Sequence, residues 1–382
     1  MVRLNGITLL RQQGGIMQVE YKLIDPNVID TPAMLTYPHI VEQNIDEIIR
    51  ICGLPENVVP HAKTHKSSDV LNMQIKRGIK SYKCATLREA EVVAQCGARE
   101  IVIAYPMAHP RKLEKFTDLI KSFPNTEFRA IASTELHLNL LSAASKELDK
   151  NIGVYMDLDT GMHRTGVKSG KKAIGFYQSI DMTSGIEPIG IHVFDGDTAD
   201  KTYEERSIIV QKNIGQMEEI WKSANQSGIQ VKDNLAGGSW SFQHYADHPN
   251  IRPTPGTWIY WDTRNAEMKE LGFQIASVIL GQVVDEDTEM DTVTVDIGSK
   301  SCSSDQPLEH RFKLVQYPGA ELVLQSEEHG VVKLNGNSLN VGDFIIAAPG
   351  HACTLTVKFP YTNVISDEGE IIGRYQHDAR DR

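Results

Sequence analysis

The chain has 382 residues, of which 41% are hydrophobic and 23% are charged, values typical of a globular protein large enough for two domains. Its net charge of -11 argues against a nucleic-acid partner, because such binding depends on clustered Lys and Arg side chains. No apolar run approaches the roughly 20 residues that a membrane span requires, so we expect no membrane insertion.

The cysteines and the first residues indicate the compartment. An odd number of widely spaced cysteines in a chain of this size favours a reducing environment over a disulfide framework, so we expect a cytoplasmic protein. The first 25 residues lack the long apolar core and the small-residue cleavage site of a signal peptide. Met17 follows two glycines and could be the true start, in which case residues 1–16 are an extension.

Residues 28–271, which follow an N-terminal lead-in over residues 1–27, alternate short β-branched runs with amphipathic stretches. Helical periodicity is clearest over Leu87–Cys96 and Tyr203–Gly228. Eight strands are predicted: Asn57–His65, Ser81–Thr86, Glu100–Tyr105, Glu127–Ser133, Gly153–Asp159, Pro188–Phe194, Val231–Gly237 and Ile251–Trp258. Alternating strands and helices predict an α/β fold, a TIM-like (β/α)8 barrel with its reactive groups at the C-terminal ends of the strands.

Residues 272–382 have a different sequence pattern. Short runs rich in valine and isoleucine are separated by Gly, Asn and Asp, as in DTVTVDIGS and DFIIAAPG. Such a pattern is typical of antiparallel strands and turns. We therefore predict a C-terminal antiparallel β-domain.

The densest cluster of reactive side chains lies in VVPHAKTHKSS. On a strand, His61, Lys63 and His65 would share one face and Lys66 would lie on the other. The alternative is a solvated basic loop. A lysine on the inner face of a barrel strand is costly unless it pairs or reacts, and a neutral buried amine can form a Schiff base with the carbonyl of pyridoxal phosphate.

A phosphate-bearing cofactor also needs a phosphate site, and LAGGSWSF offers one. Gly237 and Gly238 allow backbone N–H groups to approach a phosphate, and Ser239 adds a hydroxyl. The alternative is an ordinary turn. The position after the seventh predicted strand favours the phosphate site, because barrels often bind phosphate after strands seven and eight.

Several segments together resemble the D-threonine aldolase and D-serine dehydratase group of alanine-racemase-like, fold-type III pyridoxal-phosphate enzymes. The resemblance runs from about Asp30 to the end of the chain, and it implies a barrel followed by a β-domain. The segments are PHAKTHKS, DLDTGMHRTGV, LAGGSWSF, PTPGTWIYWD, VDIGSKSCSSD, SEEHG and PGHACT.

The resemblance assigns roles to individual residues. Lys63 is implied as the Schiff-base lysine, and Arg164 as the cation that faces the phenolic oxygen of the cofactor. A surface ion pair of Arg164 with Asp157 or Asp159 is the alternative. The implied phosphate site consists of Gly237, Gly238 and Ser239, with Tyr260 as a further contact. The sequence does not indicate which residue binds the pyridine nitrogen of the cofactor.

His351 and Cys353 form the second candidate cluster. At positions i and i+2 of a predicted strand they would share a face, and imidazole with thiolate is a sound ligand set for zinc, although a lone His-x-Cys is often coincidental. The resemblance implies that this pair holds a divalent metal. We expect zinc because of the sulfur ligand, with Mn²⁺ or Mg²⁺ as alternatives.

The implied activity is a pyridoxal-phosphate-dependent lyase that acts on D-β-hydroxy amino acids. We expect a D-threonine aldolase that yields glycine and an aldehyde, with His192 as the base for the β-hydroxyl, although a structural strand-end histidine is the alternative role. A dehydratase that gives a 2-oxo acid and ammonia would use the same groups. A racemase or a non-catalytic cofactor carrier are further alternatives. The resemblance also implies a homodimer with shared active sites.

Overall fold

A computed structural model describes residues 20–382, so the predicted extension over residues 1–16 lies outside the described residues. The described chain forms two compact units. One unit comprises residues 48–63, 71–256 and 381–382, and we call it the barrel unit. The other comprises residues 20–47, 64–70 and 257–380, and we call it the β-unit. No helix within residues 20–382 is both long enough and apolar enough to cross a membrane.

The regular elements of the described chain are numbered in chain order. The α-helices are α1 Pro38–Cys52, α2 Ser68–Lys76, α3 Leu87–Gln95, α4 Pro110–Ser122, α5 Glu135–Leu148, α6 Lys171–Met182, α7 Tyr203–Gln226 and α8 Ala352–Thr356. The strands are β1 Ala33–Thr36, β2 Ser81–Cys84, β3 Glu100–Ile103, β4 Glu127–Ala132, β5 Ile152–Asp159, β6 Val167–Lys168, β7 Ile186–Val193, β8 Leu235–Ala236, β9 Arg252–Pro253, β10 Ser277–Asp287, β11 Thr292–Val295, β12 Phe312–Leu314, β13 Glu321–Gln325, β14 Gly330–Lys333, β15 Phe344–Pro349, β16 Tyr361–Ile365 and β17 Ile371–Gln376.

The barrel unit contains a curled parallel sheet in the order β2-β3-β4-β5-β7-β8-β9, with the short strand β6 beside β5. Helices alternate with these strands along the chain, so the predicted TIM-like α/β architecture is confirmed. The predicted helices α3 and α7 are also confirmed, and α7 begins with a capping box between Thr202 and Glu205.

The first predicted strand, Asn57–His65, is only partly strand-like. The Val59 N–H donates to the Pro253 carbonyl at 3.0 Å, and the Lys83 N–H donates to the Pro60 carbonyl at 2.9 Å. The segment 58–62 therefore bonds to both β9 and β2 and joins the two edges of the parallel sheet.

The expectation that His61, Lys63 and His65 share one strand face is wrong. His61 forms a bridge with Lys83, but residues 62–65 form a turn, so the alternation of a strand ends at His61. Lys66, which we expected on the opposite strand face, has a φ angle of 52° in the left-handed region, as suits a turn rather than a strand.

The interior of the barrel is layered. An apolar layer consists of Val59, Val102, Ile131, Tyr155, Ile189 and Leu235. Toward the N-terminal ends of the strands lies an ionic network. In this network Glu100 bonds to Arg129 at 2.8 Å and to Arg252 at 2.9 Å, and Arg252 also pairs with Asp233. Each charge in this network has an opposite neighbour, which offsets the cost of its desolvation.

The β-unit contains a mostly antiparallel sheet with the path β13-β14-β11-β10-β1-β16-β17, and β15 lies between β10 and β12. The predicted antiparallel β-domain is thereby confirmed as a fold. Strand β1 lies within the segment 28–271 that we assigned to the barrel, yet it pairs antiparallel with β10 and parallel with β16. All four residues of β1 are buried, which explains why its sequence shows no alternation.

The expectation that His351 and Cys353 share a strand face is also wrong. Strand β15 ends at Pro349, and a Cβ at Gly350 would lie 1.5 Å from the His310 carbonyl oxygen, so only glycine fits there. His351 is the N-cap of α8, and Cys353 lies in the first turn of that helix.

We expect the ionic network to stabilise the barrel. Arg252→Met should lower the free energy of unfolding by about 1–3 kcal/mol, because it removes one of the two arginines that pair with Glu100 and Asp233. Lys232→Met, which removes an exposed pair with Glu187, should cost less than about 0.5 kcal/mol. Urea unfolding of the two variants measures the difference, and equal effects would contradict a stabilising network.

Candidate active site

Three cations of the barrel unit surround the ring of Phe194, which immediately follows β7. The Nζ atoms of Lys63 and Lys83 lie 5.7 and 5.8 Å from the ring centroid, and the Cζ atom of Arg164 lies 4.6 Å from it. Lys83 lies in β2, while Lys63 and Arg164 lie in loops that follow strand segments of the barrel. This convergence of positive charge at the C-terminal ends of the strands suits an anionic ligand.

Lys83 is a site residue that our sequence analysis missed. Its side chain is 2% exposed, and its Nζ donates to Thr254 Oγ1 at 2.6 Å. Burial, reinforced by the charge of Lys63, lowers the pKa of Lys83 to about 7. The signal that could have revealed it is a lysine within the buried run SYKCA, where a charge is costly without a purpose.

His192 and Asp157 form a buried pair on the neighbouring strands β7 and β5, with 2.8 Å between Nδ1 and Oδ1. Burial lowers the pKa of His192, which favours the neutral imidazole. Burial would raise the pKa of Asp157, but the hydrogen bond from His192 and its charge outweigh burial and lower it. The neutral ring therefore carries its proton on Nδ1, and Nε2, which has no hydrogen-bond partner among residues 20–382, is an acceptor.

Arg164 is exposed and lies over the Phe194 ring. The alternative of a surface ion pair with Asp157 or Asp159 is not found within residues 20–382. Asp159 instead bonds to His163 Nδ1 at 3.0 Å. Arg164 thus keeps its charge directed to the same ring as Lys63.

The glycine loop after β8 lies close to the same aromatic ring. Gly237 has a φ of +87°, and a Cβ at this position would meet the Tyr245 ring at 3.0 Å. A Cβ at Gly238 would lie 3.1 Å from the Phe194 ring. Ser239 Oγ accepts a hydrogen bond from the Gly256 N–H at 3.2 Å. Larger residues would therefore displace either the loop or Phe194.

Asp195 holds this loop in place. Its fully buried carboxylate accepts from the Gly238 N–H at 3.1 Å, from Ser241 Oγ at 2.6 Å and from the Tyr245 hydroxyl at 2.9 Å. Burial raises the pKa of Asp195 despite these bonds. No pattern in the sequence indicates Asp195. The Gly238 amide donates to Asp195 and the Gly237 amide donates to the Val193 carbonyl at 3.2 Å, so neither amide is available to a phosphate in this structure.

Tyr260 and His65 belong to the β-unit rather than the barrel unit. Their ring centroids are 6.4 Å apart, and both side chains are buried. Burial lowers the pKa of His65 to about 3, so this imidazole is neutral. The contact of Tyr260 with a phosphate stays a prediction.

The β-unit brings His351 and Cys353 together with acidic side chains. His351 Nδ1 lies 2.6 Å from Asp305 Oδ2, and Cys353 Sγ lies 3.1 Å from Thr64 Oγ1. Burial would lower the pKa of His351, but Cys353, Asp305 and Asp262 outweigh it and raise the pKa to about 11. Within residues 20–382 no group of three or more His, Cys, Asp or Glu side chains is arranged to hold a metal ion.

Two domain matches show which family of proteins the chain belongs to. Residues 39–262 match the family described as alanine racemase, N-terminal domain, so the chain belongs to this family of fold-type III pyridoxal-phosphate enzymes. Residues 276–365 match a putative serine dehydratase domain. Together these matches confirm the resemblance to the D-threonine aldolase and D-serine dehydratase group.

Particular relatives are similar over most of the chain. The 3-hydroxy-D-aspartate aldolase of Paracoccus denitrificans (strain Pd 1222) is 23% identical over 346 residues, which cover 86% of each chain. The D-serine dehydratase of Dictyostelium discoideum is 22% identical over 92% of this chain and 97% of its own. The crystal structure of D-threonine aldolase from Filomicrobium marinum has a TM-score of 0.82 at 21% identity and covers 92% of this chain and 96% of its own, which shows a shared fold.

The low pKa of Lys83 predicts a pH dependence of stability. An unfolded lysine has a pKa of about 10.4, so between about pH 7 and pH 10 the unfolded chain binds more protons and stability rises with pH. Removal of ligands followed by urea unfolding should show Lys83→Met more stable than wild type near pH 7, by roughly 2–4 kcal/mol. That advantage should shrink toward pH 10.

Lys80→Met is the matched control for this comparison, since Lys80 is an exposed lysine immediately before the same strand. Its stability difference from wild type should be small and constant across the same pH range. A Lys83→Met advantage that does not change with pH would contradict a depressed pKa.

Proposed function

We propose that the chain is a lyase dependent on pyridoxal phosphate and a divalent metal, and that it cleaves D-β-hydroxy amino acids to glycine and an aldehyde. D-Threonine is the substrate type that we favour. The observation that carries this proposal is the buried His192–Asp157 pair. His192 Nε2 is itself buried and has no hydrogen-bond partner among residues 20–382, and it lies at the same C-terminal end of the barrel strands as Lys63 and Arg164.

The residues present fit pyridoxal phosphate. Lys63 would hold the aldehyde carbon covalently through its amine, and Arg164 would bind the phenolic oxygen. The loop that contains Gly237, Gly238 and Ser239 would border the phosphate, with Tyr260 as a further contact, although the amides of both glycines already donate within the protein. Phe194 offers an aromatic face among these groups. When bound, the cofactor withdraws electrons from the α-carbon of an amino acid.

His192 supplies the base that C–C cleavage requires. Asp157 accepts the Nδ1 proton and so fixes the tautomer in which Nε2 can take a proton from a substrate β-hydroxyl. Once His192 is protonated, the Asp157 carboxylate stabilises the imidazolium by the same hydrogen bond. Because burial lowers the pKa of His192, the ring is ready to accept a proton at neutral pH.

A dehydratase is the second candidate function. The match of residues 276–365 to a putative serine dehydratase domain and the similarity to a D-serine dehydratase favour it. In that reaction Lys63 would remove the α-proton while the hydroxyl leaves, and His192 would not act as a base. The same C-terminal match supports a lyase over a racemase or a non-catalytic carrier.

The donor set at His351 and Cys353 fits a divalent metal, with zinc favoured by the sulfur. The Asp305 carboxylate would accept the Nδ1 proton of the neutral His351 ring, which leaves Nε2 as the donor toward a metal. His351 and Cys353 would hold the ion, and a Lewis acid would polarise the substrate hydroxyl.

The products from D-threonine distinguish the two functions. The protein with pyridoxal phosphate and Zn²⁺ should form glycine and acetaldehyde, and His192→Asn and Asp157→Asn should each lower kcat by roughly 10²–10⁴-fold. Product analysis by mass spectrometry and a coupled aldehyde assay provide the measurement. Formation of 2-oxobutyrate and ammonia, with full activity in His192→Asn, would establish the dehydratase instead.

Metal removal should abolish activity without unfolding the protein. Two protein ligands give a modest affinity, so a chelator should extract the ion while the melting temperature changes little. His351→Ala should lack metal by elemental analysis, whereas His329→Ala, an exposed histidine of the same unit, should retain it. Global unfolding on chelation would indicate a structural metal and a different mechanism.

We also propose a homodimer in which the β-unit of one subunit completes the barrel site of its partner. Lys63→Ala and Cys353→Ala should each be inactive alone. After subunit exchange, mixed dimers would regain one intact site of two, and an equal mixture should recover about a quarter of wild-type activity. An inactive mixture, or a fully active monomer by light scattering, would contradict shared sites.

A further inference from the structure

Lys83 has no role in the chemistry proposed above, yet it is the most deeply buried cation around Phe194. An ammonium group carries three donors and a neutral amine two, and Lys83 uses one of them, toward Thr254 Oγ1. No other partner for its Nζ is found among residues 20–382. Buried donors without partners are costly, which suggests that a ligand supplies the missing acceptor.

Thr254 connects Lys83 to the glycine loop. Its hydroxyl accepts from Lys83 and donates to the Gly237 carbonyl at 2.7 Å. Thr254 is 2% exposed, so this chain of hydrogen bonds is closed to solvent. The Lys83 amine is therefore fixed relative to the loop that we assign to the phosphate.

The charged groups around Lys83 indicate which atom of the cofactor it would bind. Lys63, Arg164, Asp157 and Asp195 all contribute to its electrostatic surroundings. The proposed function assigns three polar points of pyridoxal phosphate, the aldehyde, the phenolic oxygen and the phosphate, to Lys63, Arg164 and the glycine loop. The ring nitrogen is the fourth point. The ring nitrogen is para to the carbon that bears the aldehyde, so its partner lies away from the reacting substrate. A buried amine with a fixed position suits this nitrogen better than a partner that exchanges with solvent.

We propose that Lys83, held by Thr254, donates a hydrogen bond to the ring nitrogen of bound pyridoxal phosphate. This inference rests on the proposed function, because it requires the cofactor to occupy the barrel site. His192 is less suited to an unprotonated ring nitrogen, since its Nε2 atom, which has no hydrogen-bond partner among the described residues, is itself an acceptor. Lys83 is thus assigned as a positioning residue for the cofactor.

A binding cycle tests this contact without any turnover. The ligands are pyridoxine 5'-phosphate and its analogue in which C–H replaces the ring nitrogen, neither of which can form a Schiff base with Lys63. Isothermal titration calorimetry gives Kd for wild type, Lys83→Met and Lys80→Met in the full chain freed of cofactor. Lys83→Met should raise the Kd of the nitrogen-containing ligand on the order of 10- to 100-fold and leave the Kd of the carbon analogue nearly unchanged. Lys80→Met should change neither Kd.

Thr254→Val is a second variant for the case in which Lys83→Met fails to fold. It should show a smaller loss with the same selectivity, because the valine no longer holds the Lys83 amine. Equal losses with both ligands, or no loss with either, would overturn the proposal. A selective loss in His192→Asn rather than Lys83→Met would assign the nitrogen to His192 and would also overturn it. If wild type binds neither ligand nor pyridoxal phosphate itself, the proposed function fails together with the inference.

Discussion

Charged side chains inside the barrel are stable only where an opposite charge or a hydrogen-bond partner compensates their desolvation. At the N-terminal ends of the strands this compensation is complete, since Glu100, Arg129, Asp233 and Arg252 form one network. At the C-terminal ends it is incomplete. His192 Nε2 has no partner among the described residues, and Lys83 uses only one of its donors. An apolar layer separates the two ends. A polar ligand at the C-terminal ends of the strands would supply the missing hydrogen-bond partners.

This asymmetry links the fold to the proposed chemistry. Neighbouring strands β5 and β7 place Asp157 opposite His192 in register, so the orientation of the imidazole follows directly from the pairing of the sheet. The loop after β8 depends in the same way on Asp195, which follows β7. Asp157, His192 and Asp195 are thus supported by strand ends, which favours precise placement of a substrate.

The sequence predicted much of this architecture because the periodic signals were strong. Helices α3 and α7 and most barrel strands carry clear patterns, and Lys63, Arg164 and the glycine loop lie at strand ends where a barrel places its reactive groups. The errors arose where the backbone leaves a strand. Residues 62–65 turn after His61, and Gly350 permits a sharp change from β15 into α8, so alternation misled both times.

Other site residues are only weakly marked in the sequence because their role depends on distant partners. Lys83 bonds to Thr254, which is 171 positions away, and Asp305 bonds to His351, which is 46 positions away. In the sequence each is one charged residue among many. Asp195 likewise stands out only once Gly238, Ser241 and Tyr245 surround it. Tertiary structure is needed to distinguish a functional charge from a solvated one.

Identification of the lysine that binds the cofactor is the most direct test of the proposed active site. Three lysines are close in sequence or space: Lys63, Lys83 and Lys66, whose Nζ donates to the Ala379 carbonyl within the β-unit. Borohydride reduction of the protein with pyridoxal phosphate, followed by peptide mapping, locates the covalent bond. We expect one label per chain, on Lys63. A label on Lys66 or Lys83, or no label in a correctly folded protein, would contradict it.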